Sequence, residues 1–154
     1  MVVDVSAISI AIASAGVLAA SIYYILQIRH QTRVRQTDLV IKLYSIWGSK
    51  ETLEAWENFQ QEEFKRYEDY TKKESFVDKN IVCIFFEGIG VLLHRKLVDT
   101  GLVADLFGSQ IKFTWEKLKP TVEWGRMKQP DLWQWFEYLY NEMKKREQQL
   151  AEIK

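Results

Sequence analysis

The sequence predicts an all-α protein: one N-terminal transmembrane helix followed by a small cytoplasmic helical bundle. Three observations carry this. Val5 to Ile28 is a run of 24 residues without a formal charge. Beyond it, apolar residues return at helical spacing, and no stretch alternates apolar with polar residues for long enough to build a sheet. Only two prolines interrupt the pattern in 154 residues. At 18.2 kDa the chain is one domain with one appended element, and a multidomain enzyme is excluded. The 21 basic residues are balanced by 21 acidic ones, so the surplus of cations that a nucleic-acid binder needs is missing, and no nucleic acid is expected as a partner. The expected organisation is a short N-terminus and span at 1–28, a basic juxtamembrane helix at 29–48, a helical bundle at 49–143 and a charged C-terminal tail at 144–154.

As a helix the span rises about 36 Å, more than a hydrocarbon core of about 30 Å, so it can cross a bilayer with some tilt. A signal peptide would have a basic start, a shorter apolar stretch and a cleavage site before an ordinary mature start. Here Asp4 stands at the start, and the Ala13-Ser-Ala15 triplet that resembles a cleavage signal has thirteen further uncharged residues behind it. An uncleaved span is expected. Asp4 is the only charge before it, whereas Arg29, Arg33 and Arg35 follow directly, so the rule that positive flanks stay inside places the N-terminus outside and the C-terminal domain in the cytoplasm of a single-pass cell-membrane protein. Tyr23 and Tyr24 then fall at the inner interface. The single cysteine, Cys83, and the absence of an Asn-x-Ser/Thr sequon agree with a cytosolic domain.

Within the span Ala7, Ala11, Ala15 and Ala19 recur every fourth residue, and Ser9/Ala13 and Gly16/Ala20 add two more small pairs. Such a face lets a second helix approach closely, so association with itself or with another membrane protein is expected. The plainer alternative is that Ala and Ser are common in spans.

From Arg29 to Trp47 the helix is expected to continue as one rod with the span, with Leu39, Val40, Leu43, Tyr44 and Trp47 on one apolar stripe. Gly48-Ser49 ends it. Ser49 with Thr52 opens the next helix, expected over Glu51 to Thr71, with Leu53, Trp56, Phe59, Phe64, Tyr67 and Tyr70 inside. Ser75 with Asp78 is a variant capping pair leading into Phe76 to Leu97. That helix is apolar on nearly all sides and is the expected buried centre, with Gly88 and Gly90 as close-packing positions. Asp99-Thr100-Gly101 breaks it. The following helix carries Leu102, Val103, Leu106, Phe107, Ile111, Trp115 and Leu118 and is expected to end at Lys119-Pro120. After a short turn or helix through Glu123-Trp124, Pro130 and Asp131 open a last helix with Leu132, Trp133, Phe136, Leu139, Tyr140 and Met143 on its stripe. Fraying is expected beyond Met143.

The blocks Phe86-Glu-Gly-Ile-Gly-Val-Leu, Gly101-Leu-Val-Ala-Asp-Leu-Phe-Gly108, Trp115-Glu-Lys-Leu-Lys-Pro120 and Leu132-Trp-Gln-Trp-Phe-Glu-Tyr-Leu-Tyr140 resemble the prokaryotic single-span membrane proteins grouped as domain of unknown function 4760. The resemblance implies membrane anchoring with a helical domain, and it brings no reaction and no catalytic residues.

No constellation for chemistry emerges. Cys83 and His94 are eleven residues apart on one predicted helix, about 16 Å along its axis, too far for a thiol and its base. His30 is juxtamembrane, so no metal cluster and no cofactor are expected. Cys83 reads as a small buried hydrophobe. Glu62, Glu63, Glu68 and Asp69 lie among Lys65, Arg66, Lys72 and Lys73, the mixture of a solvated helix face. Glu87, flanked by Phe86 and Gly88 in the most apolar helix, needs a partner such as Arg95 or a lysine of another helix, or else a shifted pKa. Arg29, Arg33, Arg35 and Lys42 against Asp38 give residues 29–48 a net charge of +3, a collar suited to anionic headgroups of the lipid bilayer. Trp56, Trp115 and Trp133 are expected in the core, whereas Trp135 and Tyr138 fall off the main stripe and mark a surface for a cytoplasmic protein partner if exposed. The leading expectation is a non-enzymatic, membrane-anchored interaction module, an accessory subunit or a scaffold. The alternatives are a regulator that senses lipid through the basic collar and an enzyme acting on a membrane-proximal substrate.

Overall fold

The computed structural model describes residues 5–64 and 76–152, with Ala7 described by its backbone. Five helices follow one another among these residues: α1 Val5–Trp47, α2 Lys50–Gln61, α3 Phe76–His94, α4 Thr100–Gly125 and α5 Gln134–Glu152. No strand occurs among them, so the all-α class stands. The chain divides into two units, Met1–Gln36 and Thr37–Lys154. The sequence pattern places divisions at 28/29 and again at 48/49. The final turns of α1 instead belong with the bundle, because Val40 and Trp47 are buried in its core.

In the first unit α1 is apolar through Ile28, and its described side chains up to that point lie open to their surroundings. The helix is long and apolar enough to cross a membrane, and none of its apolar window is buried. The Ser9, Ser21 and Thr32 hydroxyls donate to the carbonyls of Val5, Val17 and Ile28, four residues earlier, at 2.9, 2.8 and 3.0 Å. These hydroxyls are therefore satisfied within the helix, which is what an apolar surrounding would demand of them.

The second unit is built around Trp47, whose ring lies 5.0 to 5.3 Å from those of Phe86, Phe85 and Trp56. Tyr44, expected on the apolar stripe, is 53% exposed, with its ring 6.0 Å from that of Phe107. The α2 helix opens as predicted, with the Ser49 side chain accepting from the Thr52 amide. It ends at Gln61, well before the predicted Thr71, because Glu62 turns into extended backbone and carries Phe64 into the core. Leu53 is exposed instead of inside, and Ala55 and Phe59 take the buried face. The expectations for Asp4, Tyr67, Tyr70, Glu68, Asp69 and the Ser75 half of the capping pair lie outside the described residues. Asp78, the other half, accepts from the Asn58 amide at 2.7 Å.

The α3 helix is the centre of the bundle, packed against α2 and α5. It buries Val82, Cys83, Phe86, Ile89, Gly90 and Leu93, but its apolar wrap is not closed: Val77 and Ile84 are exposed. It stops at His94, three residues before the predicted Leu97. Lys96 takes a left-handed φ of 57°, and the Leu97 and Lys96 amides donate back to the Leu92 and Leu93 carbonyls. This is a helix end of the type usually completed by glycine, here carried by lysine. Asp99 then caps α4 by accepting from the Leu102 amide at 2.9 Å, so Thr100 and Gly101 belong to its first turn and are not simply a break.

Pro120 does not end α4. The helix runs on to Gly125 because Thr121, Val122 and Gly125 are buried, and that packing outweighs the one amide that proline lacks. The last helix starts at Gln134, four residues after Pro130, leaving Leu132 and Trp133 in the preceding turn. It continues to Glu152, through the stretch beyond Met143 for which the charged sequence predicts fraying. Two ion pairs tie this end to α4, Lys112 with Glu147 at 2.8 Å and Arg146 with Asp105 at 3.5 Å.

Candidate functional site

The most constrained arrangement in the second unit is the seam between α3 and α5. The first amides of α5 have no capping side chain of their own, since the residue in the capping position is Trp133, with a left-handed φ of 53°. Glu87 of α3 supplies the acceptor from 48 residues away. Its carboxylate takes hydrogen bonds from the Trp135 amide at 3.3 Å and the Phe136 amide at 2.6 Å. A carboxylate at a helix N-terminus also meets the positive end of the helix dipole. The partner of Glu87 is thus the backbone of another helix, and not Arg95 or a lysine as the sequence suggests.

Arg126, at the end of α4, closes the turn that delivers this helix start. Its Nε donates to the Leu132 carbonyl at 3.0 Å, its Nη1 meets Glu137 at 2.6 Å, and its guanidinium lies 5.9 Å from the Trp115 ring centre. Burial holds the Glu87 carboxyl above the usual carboxylate range, against the opposing pull of the two amides and of Arg126. A group that binds its proton more tightly in the folded state adds stability that is full below its unfolded pKa of about 4.5 and is lost as pH rises through the higher folded value. Glu87→Gln removes that titration and leaves one oxygen for two amides, so we expect it to cost about 1 kcal/mol near neutral pH. The gap from wild type should widen on acidification toward pH ~5, read as melting temperature of the full chain in detergent. A gap that narrows instead would refute this account.

One turn along α3, Gly90 lies against the Trp135 carbonyl group, so close that no side chain fits between them. Gly88, expected to share that role, has open space around it. At the end of α3 the His94 ring stands 4.4 Å from Trp135 and 5.4 Å from Tyr138, centre to centre. Trp135 and Tyr138, the sequence's candidates for a partner surface, are therefore half-buried against an exposed histidine. Burial, with Glu142 nearby, raises the Tyr138 hydroxyl above its ordinary pKa. Cys83 is fully buried. Among the described residues no group of three or more His, Cys, Asp or Glu side chains could hold a metal ion. Trp115 is in the core as expected, while Trp56 and Trp133 are half-buried at its edge.

A second long-range contact mirrors the first. Lys117 of α4 donates to the Phe59 and Gln60 carbonyls at 3.0 and 2.6 Å, capping the C-terminal end of α2, which has no basic residue in its last turn. Its ammonium sits 5.5 to 5.7 Å from the ring centres of Phe59, Phe113 and Phe64, and burial lowers its pKa. Sequence reasoning misses this lysine, since nothing local marks it.

In the first unit, Ala11, Ala15, Gly16, Ala19 and Ala20 are all exposed along α1, as are Arg29, Arg33 and Arg35; in the second, Lys42 is exposed. The Ala7 side chain is outside the described ones.

These features define a helical domain with a tightly set seam between α3 and α5, in a chain that also carries one long apolar helix. The chain belongs to the family described as domain of unknown function (DUF4760), which matches it over residues 10–143. No curated protein and no solved structure matches it.

Proposed function

We propose that this protein is a membrane-anchored interaction module, an accessory subunit or scaffold with no catalytic activity of its own. The observation that carries this reading is α1: its apolar window is unburied, while residues 37–152 have a core of their own. An apolar helical surface of this length needs lipid or another protein to cover it. The small-residue face at Ala7, Ala11, Ala15, Ala19, Gly16 and Ala20 is the surface we assign to helix association. Arg29, Arg33 and Arg35 on the C-terminal flank support an inside location for the bundle. The edge formed by His94, Trp135 and Tyr138 is the place we assign to a cytoplasmic protein partner, since aromatic rings dominate interface energetics.

The test is native mass spectrometry of the tagged protein, purified in mild detergent from its own cells after alkaline washing of the membranes. Retention in the washed membranes together with either a multiple of 18.2 kDa or additional subunits is the expected result. Release by the wash overturns the anchor. A lone monomer overturns the interaction role.

A further inference from the structure

Within this membrane reading, on which the inference rests, we propose that Arg29, Arg33 and Arg35 form a collar around α1 whose guanidiniums bind the phosphates of the surrounding anionic phospholipids, and do more than set topology. Orientation requires only positive charge, and lysine serves that rule as well as arginine. The chain carries 14 Lys and 7 Arg, yet all three such residues between Ile28 and Lys42 are arginines. Arginine differs from lysine in presenting a planar fork of donors that meets two phosphate oxygens at once. The choice of residue therefore matches phosphate recognition more closely than charge placement.

Position agrees with the chemistry. Residues 5–28 as a helix are about 36 Å long against a hydrocarbon core of about 30 Å, which brings the next turn to the level of the lipid phosphates. Arg29, Arg33 and Arg35 all lie on α1 and are exposed there. Arg29 and Arg33 are four residues apart and so share one face of the helix, whereas Arg35, two residues after Arg33, faces the other side and meets a separate lipid. Tyr23 and Tyr24, one to two turns earlier, are also exposed, in the place where aromatic rings settle at a bilayer interface. Lys42 stands thirteen residues after Arg29 and belongs to the second unit, so it is left out of this site. Residues 37–154 carry 18 basic against 20 acidic side chains, a net charge of −2, so the chain's surplus of positive charge lies in residues 1–36.

The test uses the full chain in mild detergent, titrated with phosphatidylglycerol or phosphatidylcholine of the same acyl chains and followed by native mass spectrometry. The expected result is a preference for the anionic lipid of roughly fivefold or more. A triple Arg29→Lys, Arg33→Lys, Arg35→Lys variant keeps charge and orientation but loses the bidentate donors, and should bind phosphatidylglycerol roughly fivefold more weakly than wild type. Equal binding of the two lipids overturns the proposal, and so does a lysine variant that behaves as wild type. A third arm adds inorganic phosphate: displacement of the lipid at equal concentration would make this a soluble-anion site and overturn the lipid assignment. Alkaline washing of the source membranes separates the two levels, because a protein that stays in the membrane but shows no lipid preference refutes this site alone.

Discussion

Gly90→Ala is expected to unseat α5 from α3. A Cβ at position 90 would fall inside the Trp135 carbonyl oxygen, 2.6 Å from its carbon and 3.1 Å from the Trp135 Cβ. The obstacle is backbone, so no rotamer change relieves it, and Trp135 is held by Glu87 through its amide. The two helices must separate, and with them goes the packing of Phe136 and Leu139, both fully buried. Overpacking of this kind costs about 3 kcal/mol or more. For a unit of this size that corresponds to a fall in melting temperature on the order of 10 °C. Gly88→Ala is the internal control. With nothing within 4 Å of its Cβ, it should gain the helix propensity of alanine over glycine, about 0.5 to 1 kcal/mol. Thermal melts of both variants in detergent, followed by tryptophan fluorescence, decide the matter: similar shifts at the two positions would contradict the seam geometry.

The contrast between these glycines shows where sequence reading reaches its limit. Both sit in one apolar helix two residues apart, and one-dimensional pattern cannot tell which faces a neighbour's backbone. The helical class, the Ser49 cap, buried Cys83 and the central place of α3 are legible because each depends on residues close in sequence or on periodicity. Boundaries fail where tertiary contacts override local signals. Pro120 is a strong breaker by propensity, yet buried Thr121, Val122 and Gly125 keep α4 going. The tail after Met143 is charged, yet partners on α4 hold it helical.

The caps make the same point in energetic terms. A cap offered by Ser49 to Thr52 is readable at a spacing of three residues. The caps offered by Glu87 to α5 and by Lys117 to α2 cross 48 and 58 residues and leave no motif. Glu87 is legible as a carboxylate in need of a partner, but the partner's identity is not, because main-chain amides have no residue-type signature. The candidate partner surface is half legible: Trp135 and Tyr138 are off the main stripe, but His94 covers part of them.

The largest electrostatic effect is expected at Lys79, a fully buried residue whose ammonium meets the Glu62 carboxylate at 2.8 Å and faces the Phe64 ring at 5.2 Å. The two partners are unequal. The Lys79 side chain is 1% exposed, whereas Glu62 keeps 27%. Deleting the lysine charge leaves a carboxylate that can turn toward water, so Lys79→Met, which retains the aliphatic stem, should cost about 1 to 3 kcal/mol. Neutralising the carboxylate weakens the pairing of an ammonium buried beside the Phe64 ring, and Glu62→Gln should cost more, about 3 to 5 kcal/mol. The double variant should recover much of the loss of Glu62→Gln, because an apolar chain replaces the buried ammonium. This order follows from burial alone. Because Glu62 leads Phe64 into the core immediately after α2, the same contact fixes the point at which that helix ends. Equilibrium urea unfolding of the three variants measures it, and a lysine deletion costlier than the carboxylate deletion would show that the pair is not organised by the desolvation of Lys79.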